Sequence, residues 1–260
     1  MKNFLTIILL ATILFASCSK DAEPGAIHET DGRAKLTFDA VVGTSDFALD
    51  QDFTIGSKTW NFTQLRYWVS NVVLIKASGD EYAVPNSYYL IEENKAAETN
   101  SAYIYPANKR ESVELAGIPA GDYKSIRFSV GVPEKYNNNL SLQAGELSQL
   151  NGMTNVSWMW ATSYIFSSLK GKVTAAGATK TIAVETGLNA NFKTVTLNLP
   201  SALHIGSAKS TAILLNADVT KITDGVDLMT TPSVGASQAT LMAAVAANYS
   251  GKVFSVKSAQ

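Results

Sequence analysis

From about Lys35 onward the chain is a succession of short segments in which apolar residues recur at every second position, each cut off by Gly, Pro, Asn or Asp. Period two puts alternate side chains on opposite faces of an extended strand, so a chain of this kind satisfies its backbone by building sheets. Ile126, Phe128 and Val130 share one face, and Ser125, Arg127 and Ser129 the other, as in a half-buried antiparallel strand. Val195, Leu197 and Leu199 alternate in the same way with Thr194, Thr196 and Asn198, and Leu36, Phe38, Ala40 and Val42 with Thr37, Asp39 and Val41. The stretch 65–75 differs. Tyr67, Trp68, Val69, Val72 and Val73 place β-formers on both faces, which predicts a central strand covered on each side. Further strands are predicted at 88–91, 112–115, 123–130, 158–160, 164–169, 179–184, 192–199 and 211–219. One helix is predicted, at 238–248, where Ala, Leu and Met run without a breaker. A sheet this extensive must close or pack face to face, so the expectation is an all-β, antiparallel β-sandwich with one short C-terminal helix. No fixed-period repeat or compositional break divides 35–260, which reads as one domain.

The N-terminus carries a different signal. Lys2, an apolar run over 4–16 and the small residues Ala16 and Ser17 precede Cys18, the only cysteine. That is the n-region, h-region and cleavage site of a signal peptide over 1–17. The run is shorter than the roughly 20 apolar residues needed to span a bilayer. Phe15-Ala16-Ser17-Cys18 resembles a bacterial lipobox, which assigns Cys18 to lipidation rather than to a disulfide, catalysis or metal. Residues 18–34 then form the lipidated N-terminus and tether, and the membrane is an expected partner through the lipid anchor. The polar stretch 19–24 is either the short acidic tether of surface-exported lipoproteins or a solvated linker. The expected location is the outer membrane, with the domain periplasmic or surface-exposed.

A formal net charge of −1 gives no basic field for nucleic acid, which is not an expected partner. The sequence has no G-x-S-x-G elbow, no H-E-x-x-H and no Gly-rich phosphate loop. Ser167-Ser168-Leu169-Lys170 spells S-x-x-K, but in a strand-like stretch and without its companion motifs, so it reads as a chance match. His28 lies in the tether, and His204, at the end of a strand, reads as a partly packed loop histidine. Asp46, Asp50 and Asp52 have spacing that can converge on calcium, but the rest of a calcium loop is missing and a solvated turn is the simpler reading. Trp158 and Trp160, two apart in a predicted strand, share a face near Met153, Met159, Tyr164 and Phe166. They read either as core or as a redox-active or ligand-stacking site. Were the chain an enzyme with an aromatic-lined pocket, Glu185 or Asp218 would be its acid or base.

Several segments, in order, resemble the MbnP-like family of β-rich exported proteins named after a copper-associated protein of methanobactin operons. They are Leu36-Thr-Phe-Asp-Ala-Val-Val-Gly43, Phe62-Thr-Gln-Leu-Arg-Tyr-Trp-Val-Ser-Asn-Val-Val-Leu74, and Gly117-Ile-Pro-Ala-Gly-Asp-Tyr123 running into Ile126-Arg-Phe-Ser-Val-Gly-Val132. Trp158-Met-Trp160 with Tyr164-Ile-Phe166, and Ala247-Asn-Tyr-Ser-Gly-Lys-Val-Phe254, complete the set. The resemblance implies a copper-binding protein that pairs with a di-haem MbnH-type enzyme, which oxidises a partner tryptophan to kynurenine. Trp158 and Trp160 fall on the matching W-x-W stretch. Many members carry histidines before a Gly-rich turn and again after the final Phe-x-Val. Here those stretches are Ile182-Ala-Val-Glu-Thr-Gly187 and Phe254-Ser-Val-Lys-Ser-Ala-Gln260. The expectation is therefore a membrane-anchored, non-enzymatic binding or partner protein whose copper site is degenerate, with no catalytic residues, no metal ligands and no cofactor. The alternative is a functional copper-binding substrate of the di-haem enzyme.

Overall fold

The computed structural model describes residues 30–98, 103–155 and 163–260. In chain order its strands are β1 (Gly32–Val42), β2 (Ser45–Asp46), β3 (Asp52–Ile55), β4 (Lys58–Lys76), β5 (Glu81–Ala83), β6 (Tyr88–Asn94), β7 (Ala97–Glu98), β8 (Ile104–Tyr105) and β9 (Asn108–Arg110). They continue as β10 (Ser112–Ile118), β11 (Gly121–Val130), β12 (Thr154–Asn155), β13 (Ser163–Ala175), β14 (Ala178–Gly187), β15 (Lys193–Ile205), β16 (Thr211–Asp218), β17 (Ser233–Val234) and β18 (Phe254–Ala259). A small sheet, β10-β1-β16-β18, faces a large one, β15-β11-β4-β13-β14-β17. This is the predicted sandwich, with two differences. The pairs β1–β16 and β14–β17 are parallel, so the sheets are mixed rather than wholly antiparallel. A parallel pair needs a crossover, and between β1 and β16 it is supplied by strands β2–β15, which include all of the large sheet but β17.

The helix predicted at 238–248 is α3 (Ala239–Asn248), led by a 3₁₀ turn at Ala236–Gln238 and continued by a π-turn at Tyr249–Val253. Two one-turn helices escape prediction, α1 (Glu134–Asn137) and α2 (Val219–Ile222). A single turn is too short to show helical periodicity. Asp218 caps α2, accepting from the Thr220 N–H at 3.0 Å and the Thr220 hydroxyl at 2.7 Å.

Strand β4 is the spine. Its residues buried between the sheets are Trp60 and Phe62, then Leu65, Tyr67 and Val69, then Val72 and Leu74. The inward parity changes twice, because β4 carries an extra residue near Thr63 and another at Asn71. Pairing slips there against β13 and β11, and Asn71 has φ 51°. Such bulges raise the local twist. They let β4 pair with β13 through Thr59–Tyr67 and with β11 through Val69–Lys76.

At Trp68 one partner is exchanged for the other. The Gly131 N–H donates to the Trp68 carbonyl at 3.0 Å, and the Ser70 hydroxyl donates to the Gly131 carbonyl at 2.8 Å. Tyr67 faces inward, in edge contact with Phe38 of the small sheet. Trp68 faces outward into a second apolar cluster with Leu90, Val132, Leu147, Met153, Tyr164 and Phe166. The long β11–β13 connection supplies much of that cover, which is why β4 is apolar on both faces.

Candidate functional site

The outer face of β4 and β6 carries the unusual chemistry. Arg66 and Glu92 are directly opposed in the antiparallel β4–β6 ladder, and Trp68 and Leu90 form the next pair on the same face. The Arg66 and Glu92 side chains are only 5% and 1% exposed. Glu92 Oε2 accepts from Arg66 Nε at 2.8 Å, with Nη2 at 2.7 Å, while Oε1 accepts from the Tyr105 hydroxyl at 2.6 Å and from Asn108 Nδ2 at 2.7 Å. The guanidinium also lies 4.6 Å from the Tyr105 ring centroid. Burial, followed by the Glu92 carboxylate, pushes the Tyr105 phenol up to about 12. A buried ion pair repays its desolvation only when its remaining hydrogen-bonding capacity is met; here Glu92 accepts three hydrogen bonds, from Arg66 Nε, Tyr105 and Asn108, while Arg66 Nη2 lies close by charge alone. The network makes Tyr105 and Asn108 fixed walls of a cleft of about 250 Å³, whose far side is Arg110, Glu146 and Asn151. Arg110 clamps Glu146 through both guanidinium nitrogens. Asn151 Oδ1 accepts from the Met153 N–H at 2.9 Å. All three exposed large hydrophobic residues among those described, Tyr103, Ile104 and Leu150, belong to this cleft or adjoin it.

A second, narrower cleft lies where β12 meets β13. Asn155 pairs with Ser163, and both line a space of about 50 Å³ with Glu185, Thr186, Leu188 and Met242. That volume suits a water or two rather than an organic substrate, for which pockets of about 300–1,000 Å³ are usual. Glu185 is committed locally: it accepts from the Ser168 hydroxyl at 3.2 Å and lies 3.3 Å from Lys170 Nζ. Ser167 and Thr186 share a hydroxyl contact of 2.7 Å. The S-x-x-K string is thus extended backbone in β13, as its context predicted, and Ser168 faces a carboxylate rather than a lysine. Asp218, the other carboxylate considered for acid–base work, is the cap of α2.

A family model described as MbnP matches residues 31–241. The chain belongs to the MbnP family. Among solved structures, MbnP from Methylosinus trichosporium is similar at 17% identity and a TM-score of 0.49, over 76% of this chain and 79% of that one. No curated protein matches.

Within this MbnP-family chain, Cys18, His28, Trp158, Met159 and Trp160 lie outside the described residues. Met153 is a core residue beneath Trp68 and Tyr164, whose rings meet edge to face at 5.8 Å. His204 sits in β15 rather than in a loop, with Nδ1 2.7 Å from Asp122 Oδ1 across the β11–β15 pair. The aspartates considered for calcium do not converge. Asp50 pairs with Lys95 at 2.6 Å, and Asp52 accepts from Asn61 at 2.8 Å. Asp46 instead meets Asp39 and Glu111, with ligand atoms within 4.8 Å of one another. Lys257 lies 2.7 Å from Asp39 and Lys109 3.9 Å from Glu111. Burial, with Asp39 and Asp46 nearby, raises the Glu111 carboxyl.

The described residues do not fit copper at the positions the family resemblance points to. Ile182 and Val184 are buried core residues of β14, Glu185 and Thr186 offer hard oxygens, and Met242 is the one thioether beside them. Copper is favoured by imidazole, thiolate or thioether sets. Sequence reasoning missed Arg66, Glu92, Tyr105 and Asn108. Glu92 and Glu93 look alike in sequence, and only the pairing of β6 with β4 puts one inside.

Proposed function

We propose that the chain is a membrane-anchored, non-enzymatic member of the MbnP family that binds a ligand or partner, with a degenerate copper site. The carrying observation is the commitment of its acid–base candidates to structure: Asp218 caps a helix, Glu185 is held by Ser168 and Lys170, and Glu92 accepts three hydrogen bonds and pairs with Arg66 beneath a cleft. Carboxylates engaged in this way serve the fold, which supports a non-enzymatic role. Ile182 and Val184, apolar and inside the core, support the degenerate copper site. The signal over 1–17 and Cys18 support lipid anchoring, in the outer membrane, with the domain periplasmic or surface-exposed.

The test has two parts. Mature protein is titrated with Cu(I) and Cu(II) against competing chelators, and peptides spanning Trp158 and Trp160 from native material are weighed. Weak or absent copper binding and intact indoles are expected. Tight one-to-one copper, or oxidation at either tryptophan, would overturn this reading in favour of a copper-binding substrate of a di-haem MbnH-type partner. Fractionation of a Cys18→Ala variant tests the anchor, because no described helix is long and apolar enough to cross a membrane.

A further inference from the structure

The end of the sandwich where the chain enters carries a group of cations that no carboxylate answers. Lys58, Lys95, Lys109, Lys170, Lys252 and Lys257 each lie within 4.0 Å of a carboxylate. Arg33, Lys35 and Lys209 are exposed and pair with no carboxylate in this way, as is true of several lysines elsewhere such as Lys124 and Lys180, but these three lie together. They rim one open depression of about 630 Å³ on the small sheet, floored by Thr211 and Ala212, with Glu114 as the acidic residue of its lining. Their grouping is built in. Lys35 sits between Glu114 of β10 and Ala212 of β16 in register. Gly32 approaches Gly206 so closely that an added Cβ would stand 2.6 Å from its backbone, and Gly206 bridges to Lys209. The start of β1 and the 206–209 turn are thereby held together, so Arg33 and Lys209 share a rim.

Thr30 enters the fold at this same place, bonded to Ser207 through its carbonyl at 3.1 Å. Residues 19–29 separate it from Cys18, a stretch of about 40 Å when fully extended and about 20 Å as a flexible coil. A lipid on Cys18 therefore keeps this end of the domain within reach of the bilayer. Asp21, Glu23 and Glu29 outnumber Lys20 in the tether, which is therefore net acidic and leaves attraction to an acidic surface mainly to the domain's own cations.

We propose that this basic depression is a docking face for phosphate-bearing anionic lipid headgroups, which seats the domain on the membrane with the small sheet's entry end down. The proposal rests on the lipid-anchor reading for its geometry. Each basic residue near an anionic surface strengthens binding about fivefold, so the three together act about a hundredfold, and the effect fades with salt.

Full-length Cys18→Ala protein, lacking the lipid, is sedimented with vesicles of phosphatidylcholine alone and of an equimolar mixture with phosphatidylglycerol. Binding to the anionic vesicles alone is expected, reduced about a hundredfold in Arg33→Gln/Lys35→Gln/Lys209→Gln and also by raised salt. Equal binding to both vesicles, or an unchanged triple variant, overturns the proposal. Much tighter binding by a chain beginning at Thr30 would overturn it too, by making the acidic tether the occupant of the depression. In a second arm, wild-type protein in both vesicles is labelled with an amine-reactive reagent, and Lys35 and Lys209 should be protected only on the anionic surface. Acylated Cys18 without that protection sinks the docking face and keeps the anchor. Anionic binding by the Cys18→Ala chain, with no acyl mass on wild-type Cys18, keeps the face and sinks the anchor.

Discussion

Replacing Glu92 by Gln keeps the shape of the side chain and removes its charge, which isolates what the buried pair contributes. Arg66 would remain beside it with a side chain only 5% exposed and no counter-ion. Of the three donors now bonded to Glu92, from Arg66 Nε, Tyr105 and Asn108, those facing the new amide nitrogen would meet a donor. Breaking a buried pair from one side costs about 3–5 kcal/mol. That is about a fifth or more of a typical domain's 5–15 kcal/mol. At about 2–4 °C per kcal/mol for a domain of this size, the melting temperature should fall by about 6–20 °C. Arg66→Met should cost a similar amount, since it strands the carboxylate instead. Arg66→Met/Glu92→Leu should recover most of the loss, because Tyr105 and Asn108 reach water at the cleft and an apolar pair fills the space without a desolvation cost. Urea unfolding followed by tryptophan fluorescence, run as a double-mutant cycle with Glu92→Leu alone as the second single variant, gives the coupling directly. Single variants costing below about 1 kcal/mol, or a double variant equal to their sum, would refute the assignment of this pair as a buried, mutually dependent unit.

Two further expectations concern the sheet and its phenols. Gly171 opposes the first bulge of β4, and a Cβ there would stand 2.3 Å from the Asn61 carbonyl oxygen, so Gly171→Ala should cost about 1–3 kcal/mol in urea unfolding. Gly251→Ala, where a Cβ meets nothing, is the control and should be near neutral. Burial raises the phenols of Tyr67 and Tyr249, and burial with Glu92 raises that of Tyr105 to about 12. The unfolded chain ionises these groups near pH 10 while the folded one resists. Their contribution is therefore full below about pH 10 and is lost as pH rises through the folded values. Urea midpoints measured from pH 8 to 12 should hold steady and then drop, and a flat profile would contradict the burial of these hydroxyls.

Sequence by itself determined the class of fold, because alternation at period two is a local property that each strand carries whole. The inward set Ile126, Phe128 and Val130 is legible in this way, although Ser125 and Ser129 on the other face are buried as well, and so is the breaker-free helix near the C-terminus. The W-x-W stretch, the family segments and the Cys18 signal are likewise local patterns. Strand β4 was legible only in part. Its inward set breaks step at Thr63 and Asn71, so alternation is lost and only apolarity on both faces remains visible. Tertiary structure alone decided the rest. Whether Glu92 or Glu93 is buried depends on which face of β6 meets Trp68, and that Asp46 lies near Asp39 and Glu111, rather than Asp50 and Asp52, depends on the pairing of β1 with β2. Such juxtapositions arise from contacts between residues far apart in the chain, whose partners no local pattern names.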